Sequence, residues 1–271
     1  MEALKTTRRQ RMWMYIIMGL LAVMYLMPVV SAIANSLKFG GLDNYKYVLT
    51  EKFNGVYFYR YFINSAIVAA LSCFGTLLVS SLSGFAFSKM KFIGKHGTFI
   101  TVLMCLAIPG TSLLMPLLFL LRRLHLYNTL GAIIFPEIIL TMPFGILMCK
   151  NFFDRLPNEL MESADIDGAS IFKIYSHIYL PLSKPCLMNL GVLCIMWSLQ
   201  DFLMPTMFTT KTYLATATVA ISTLRGAFGT WGNALGRYNA ALVLIAVPSL
   251  ILLILGQKHL VNGITSGALK D

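Results

Sequence analysis

Six apolar runs, each about as long as a bilayer crossing requires, constrain this chain more than any other feature of its sequence. They lie roughly at 12–34, 62–87, 99–121, 130–152, 185–209 and 238–256. A helix needs about 20 mostly apolar residues to cross some 30 Å of hydrocarbon. The 271 residues are 57% apolar and only 12% charged, whereas roughly a quarter of a soluble domain is charged. The expected fold class is therefore an all-α integral membrane protein with six transmembrane helices. The first run is too long for a signal-peptide core and lacks a cleavage site of small residues, so it counts as a retained span.

This composition excludes a secreted domain, a disordered chain and a nucleic-acid binder, even though the formal charge is +11. In a membrane protein such an excess marks topology. Lys and Arg outside the cores number 13 on the side holding the N-terminus, 88–98, 153–184 and the C-terminus, against 9 on the other. Positive charge collects inside, so both termini are expected in the cytoplasm. The expected organisation is a cytoplasmic segment 1–11, a six-span domain 12–256 containing the cytoplasmic loop 153–184, and a cytoplasmic tail 257–271.

Pro28, Pro109, Pro116, Pro136, Pro143, Pro205 and Pro248 lie in or beside these runs. Each removes a backbone donor and frees a carbonyl that lipid cannot satisfy, which implies a bundle with neighbours or a wet interior. Ser65, Ala69 and Cys73, then Gly75, Ser80 and Gly84, form a small-residue face on the second span, expected to let another helix approach. The five cysteines are scattered singly, as small buried residues would be, and the four histidines occupy four separate polar stretches. Neither set has metal-ligand spacing.

Two carboxylates interrupt the cores, Glu137 and Asp201. An ionisable group at membrane depth is costly and by default marks a functional position. At 1.5 Å per residue Glu137 lies roughly 10 Å from the outer end of its span and Asp201 roughly 24 Å from the inner end of its own, so both fall in the outer half. With Trp197, Ser198 and Gln200 they are candidates for a shared polar substrate pathway. The structural alternative is that each carboxylate accepts hydrogen bonds from backbone freed by Pro136 or Pro205.

Residues 154–167 read DRLPNELMESADID, an acidic spot of net charge −4 on an otherwise basic face. Pro157 suits a first helical turn, the carboxylates suit the positive end of the helix dipole, and Leu160, Met161 and Ala164 share one face. A helix of two turns follows, too short to stand alone in water. Asp167-Gly168 supplies a turn, and 169–178 is expected to form a second helix that ends before Leu180-Pro181. Two short helices joined at a glycine make a rigid knob. Its acidity argues against a lipid-resting helix pair, because anionic headgroups attract basic residues.

Glu162-Ser163-Ala164, three residues, Gly168, nine residues, then Ile178-x-Leu180-Pro181 resembles the EAA loop of ABC importer permeases, E-A-A-x3-G-x9-I-x-L-P, with every spacing kept and Ser163 in place of the first alanine. Further stretches resemble the carbohydrate-uptake branch, on the side of the smaller maltose-type permease. They are Asn64-Ser65, Ser83-Gly84-Phe85-Ala86-Phe87 with Lys91-Phe92 and Gly94-Lys95, Ile108-Pro109 with Pro116, Asp201-Phe202 with Pro205, Gly226-x-Phe228-Gly229-Thr230, and NGITSGALK at 262–270. Gln200 stands where many of those relatives have Asn.

The resemblance implies a type I ABC importer permease fold in the bacterial cell membrane. It assigns ATPase coupling to Glu162, Ser163, Ala164, Asp167, Gly168, Ile178, Leu180 and Pro181, on a coupling helix docked into a cytoplasmic ATPase. It also implies a second, different permease subunit, two copies of the ATPase and an extracellular solute-binding protein that meets the loop between spans five and six, while the C-tail reaches the ATPases. The chain carries no G-x-x-x-x-G-K-[ST] loop, so ATP is expected on a partner, with no cofactor or catalytic residue here. The lipid bilayer is the remaining partner.

An ion-coupled secondary transporter using Glu137 and Asp201 is the alternative; it predicts inverted repeats, and no convincing repeat is present. A membrane enzyme lacks support, since neither H-E-x-x-H nor G-x-S-x-G occurs.

Overall fold

A computed structural model describes residues 8–38, 40–228 and 232–268, with side chains described up to 225, from 232 to 251 and at 254. Residues 1–7 of the N-terminal segment, Gly229-Thr230 and the last three residues of the C-tail lie outside these, as do the side chains of Gly226, Phe228 and the rest of the tail motif.

The helices are α1 (Arg8–Lys38), α2 (Asp43–Thr50), α3 (Phe58–Lys89), α4 (Lys95–Cys105), α5 (Leu114–Arg123), α6 (Gly131–Asp154), α7 (Glu159–Ile166), α8 (Ile171–Ile174), α9 (Leu180–Leu182), α10 (Lys184–Gln200), α11 (Leu203–Phe208), α12 (Ala217–Phe228) and α13 (Asn233–Ala268). The described strands are β1 (Lys52–Phe53) and β2 (Val56–Tyr57), paired antiparallel with Lys52 opposite Tyr57. Among the described residues four helices are long and apolar enough to cross a membrane: α1, α3, α6 and the Asn233–Ile251 part of α13. The count becomes six when two bent pairs each count as one span.

The first bend and a separate break after Gln200 correct two expected spans, while the second bend lies at Ser183, ahead of the fifth run. The third run, 99–121, breaks between α4 and α5 at 91°. Pro109 biases Ile108 away from helical geometry and is itself extended, at φ −60° and ψ 124°. A 3-10 turn, Gly110–Leu113, then restarts the chain, and Pro116 falls in the first turn of α5, where its missing N–H costs little. The fifth run, 185–209, stops at Gln200 because Asp201 is extended at ψ 127°, and α11 follows. The last helix outruns its apolar stretch, continuing from 256 to Ala268. Cys105 on α4 is exposed, contrary to the reading of all five cysteines as buried.

The chain forms two compact units, one comprising the described residues up to Phe58 with Ile221–Val247, the other Tyr59–Ala220 with the end of α13. In the first, Asn44 Nδ2 donates to the Ser36 carbonyl at 2.9 Å, satisfying an orphan carbonyl near the end of α1, and the Ser36 and Tyr45 hydroxyls are 2.7 Å apart. The Arg237 guanidinium stacks 3.6 Å from the centre of the Tyr47 ring.

In the second unit α3 and α6 approach closely through glycine. A Cβ on Gly84 would lie 2.6 Å from Cys149 Cβ and 2.9 Å from the Lys150 amide, and one on Gly145 would collide with Ser80. The small-residue spacing thus reads as packing. Asn64 is 2% exposed and donates to the carbonyls of Tyr213 at 2.8 Å and Ala215 at 2.9 Å. Ser65 Oγ accepts the Ala217 N–H at 2.9 Å. These two neighbours on α3 fasten the segment that leads into α12.

Replacing Asn64 by Ala leaves two carbonyls without their donor, at a cost of about 1–3 kcal/mol. Thermal unfolding of the purified complex in detergent should show a lower midpoint for Asn64→Ala, and an unchanged midpoint would mean that other contacts hold the segment.

Candidate functional site

The three long helices of the second unit each bring polar residues to one cavity of 260 Å³. α3 contributes Ser72 and Thr76, α6 contributes Glu137, Leu140 and Thr141, and α10 contributes Cys194, Trp197, Ser198 and Gln200; Asp201 and Met204 of the α10–α11 break complete it. The intervals are helical: 72 and 76, 137 and 141, 194, 197, 198 and 201 each return to the same face after one turn. All five residues singled out as a substrate pathway, Glu137, Trp197, Ser198, Gln200 and Asp201, therefore line one space.

The two carboxylates are held differently. Asp201 Oδ1 accepts the N–H groups of Leu203 at 3.0 Å and Met204 at 3.4 Å, capping α11, and Thr218 Oγ1 donates to the Asp201 carbonyl at 2.7 Å. One oxygen thus has the structural duty considered above, while Oδ2 has no partner. Glu137 is 8% exposed, and neither of its oxygens has a protein hydrogen bond. The Ser72 and Ser198 hydroxyls are its polar neighbours. Backbone freed by Pro136 is not what holds this carboxylate. Trp197 is 45% exposed, with its ring edge-on to Phe144 at 5.5 Å.

The acidic loop forms the expected knob. Asn158 precedes α7, and the helix buries Ala164, half-buries Leu160 and Met161, and exposes Glu159, Glu162, Ser163 and Asp165. Ser163 Oγ donates back to the Glu159 carbonyl at 2.7 Å, so the hydroxyl that replaces alanine is satisfied within its own helix. After Asp167 the helix closes in a Schellman motif: Gly168 N–H donates to the Asp165 carbonyl at 2.9 Å and Ala169 N–H to the Ala164 carbonyl at 3.0 Å. Gly168 has φ +71°, and a Cβ added there would meet nothing within 4 Å, so backbone conformation rather than space calls for glycine.

The helix expected over 169–178 does not stop there. Ser170 caps α8, residues Tyr175–Tyr179 form a π turn, and α9 carries the chain to Leu182. Pro181 cannot donate an N–H one turn back, and the wide turn just before it absorbs that defect. Ile178 and Leu180 are half-buried against the core, Asp167 and Pro181 are exposed, and the segment Ile171–Leu182 meets α10 at 73°.

Residues not singled out from the sequence fasten this knob. Lys89 Nζ, at the end of α3, donates to the Leu156 carbonyl at 2.6 Å and to Asn158 Oδ1 at 2.8 Å, and sits 5.8 Å from the centre of the Tyr179 ring. Ser88 Oγ donates to Asp154 Oδ1 at 2.7 Å, and Lys150 pairs with the same carboxylate at 2.6 Å. Phe85, Phe153 and Tyr179 form an aromatic cluster with centroids 5.0–6.0 Å apart, and Tyr175 adds a hydroxyl 2.8 Å from Ser81 Oγ. In the sequence Lys89 registers only as topology charge. Ser72 and Thr76 were legible as a polar i, i+4 pair beside the small-residue face.

The sequence matches the family described as "Binding-protein-dependent transport system inner membrane component" over residues 76–266. It is 35% identical to the trehalose/maltose transport system permease protein MalG of Thermococcus litoralis, over 84% of this chain and 81% of that one. It is 33% identical to the arabinooligosaccharides transport system permease protein AraQ of Halalkalibacterium halodurans, over 84% and 79%. A solved structure of a bacterial ABC transporter involved in import of the acidic polysaccharide alginate superposes with a TM-score of 0.78 at 18% identity, covering 93% of this chain and 98% of that chain, which establishes the shared fold. The family match and the sequence relatives support an ATP-driven importer and not the ion-coupled alternative. The chain belongs to the binding-protein-dependent inner membrane components, the multi-pass permeases of ABC importers, whose work requires an ATPase and a solute-binding protein.

Proposed function

We propose that this chain is one of two different permease subunits enclosing the pathway of a saccharide importer, with both termini cytoplasmic, two ATPase copies beneath and an extracellular binding protein above. ATP is bound and hydrolysed by the partner, and this chain converts that cycle into movement. The sugar transport named for its relatives supports the cargo class. The observation that carries the coupling role is α7, a helix with one face anchored in the core and the other bare and acidic. Around that face Ile166 is 87% and Phe172 71% exposed, apolar surface that a docked partner would cover.

The geometry supplies a transmission. α3 reaches the knob through Lys89 and the cavity through Ser72, α6 through Asp154 and Glu137, and the chain through Tyr179 into α10 reaches Trp197. The first two pairs are each 17 residues apart, about 25 Å along a helix. Displacement of α7 therefore moves three walls of the cavity together and shifts the balance between inward-open and outward-open forms.

Glu162 is exposed and supports nothing in the fold, so Glu162→Lys should leave folding intact while abolishing ATPase co-purification or ATP-driven uptake. Gly168→Val forces a β-branched residue to positive φ, straining the helix end by about 1–2 kcal/mol, and should impair the same readouts. Wild-type assembly and accumulation in both variants would overturn the coupling role.

Lys89→Met removes the clamp without touching the docking face. It should retain the ATPase but raise the ATP consumed per sugar severalfold, with Lys89→Arg restoring much of the coupling. Unaltered stoichiometry in Lys89→Met would show that the aromatic cluster alone transmits the motion.

A further inference from the structure

The cavity lining is one-sided in charge. Among the described residues it holds Glu137 and Asp201 and no Lys, Arg or His. Ionised carboxylates of the protein interior ordinarily find a cation or several donors, because an unpaired buried charge is costly. Here three of the four carboxylate oxygens have no protein partner, Oδ1 of Asp201 being the exception. Ser72, on another helix, is 4% exposed, lies beside Glu137 and lines this space with no closed hydrogen bond of its own. Beyond the Ser72 and Ser198 hydroxyls beside Glu137, the donors that complete these groups come from what enters.

We infer that this wall of the pathway is a charge filter, admitting saccharides that are uncharged or carry amino groups and rejecting those that carry carboxylate or phosphate. This rests on the saccharide reading above and adds the class of saccharide. Hydroxyl and ammonium groups donate to Glu137 and Asp201, and Trp197 offers an apolar ring face to the C–H side of a pyranose. An acidic sugar brings a further anionic group into a space of 260 Å³ with no cation among the described lining residues to meet it. Like charges brought together in a desolvated site cost enough to lower affinity tenfold or more.

The test uses the assembled transporter in detergent and three β-1,4-linked disaccharides: cellobiose, its analogue of two glucosamine units and its analogue of two glucuronic acid units. Binding is read as fluorescence change absent from Trp197→Phe. The neutral and amino probes should bind at least about tenfold more tightly than the diacid, and the double variant Glu137→Gln with Asp201→Asn should narrow that ratio toward one. A diacid that binds wild type as tightly as cellobiose overturns the filter, as does an unchanged ratio in the double variant. The wild-type ranking decides alone should the variant not assemble. If none of the probes binds while ATPase coupling is intact, the saccharide reading itself fails and the filter falls with it.

Discussion

A chain segment in hydrocarbon has no water to satisfy its amides and carbonyls, so each crossing must be a helix whose hydrogen bonds are closed within it, and every break must be repaired by protein or by a wet space. The molecule follows from where breaks are tolerated. α3 runs 32 residues and α6 24 without interruption, despite Pro136 and Pro143 in α6. The spans that break do so where a side chain or tight turn takes up the slack: a 3-10 turn after Pro109 and the Asp201 carboxylate at the start of α11.

Because α3 and α6 are continuous, they are stiff, and stiffness gives the knob its meaning. A short helix on a flexible loop would absorb a push from a partner. α7 is instead tied at its entry by Lys89, at its exit by the Schellman motif, and along its buried face by Ala164 in the cluster of Phe153, Ile174 and Tyr179. Its motion has no outlet except the helices that hold it. The same helices line the polar cavity, so there is no need to invoke a separate route between the two sites.

Much of this was legible in the sequence because apolar length and the spacing of the acidic loop are local properties. The crossings emerge from runs of about 20 residues, and Gly168 from its turn. The breaks were not legible, because Pro109 and Pro205 give the same signal as Pro136 and Pro143, which sit inside an intact helix. Whether a proline bends a span depends on which neighbours can satisfy the freed groups, and those neighbours are distant in sequence. Lys89 was hidden for a related reason: its partners, Leu156 and Asn158, lie 67 and 69 residues away.

In the cavity a single side chain both holds the local fold and faces the proposed pathway. Asp201 Oδ1 is engaged in starting α11, so Asp201→Ala would disturb the break itself and confound any conclusion about cargo. Glu137 has no such duty, since neither oxygen is engaged by the protein. An acid that stabilises nothing around it, held 8% exposed on a long helix, is a cost to folding that packing alone would not maintain. Of the two carboxylates, Glu137 is therefore the one that carries no part of the local fold, and its amide variant tests the proposed pathway role where Asp201→Ala cannot.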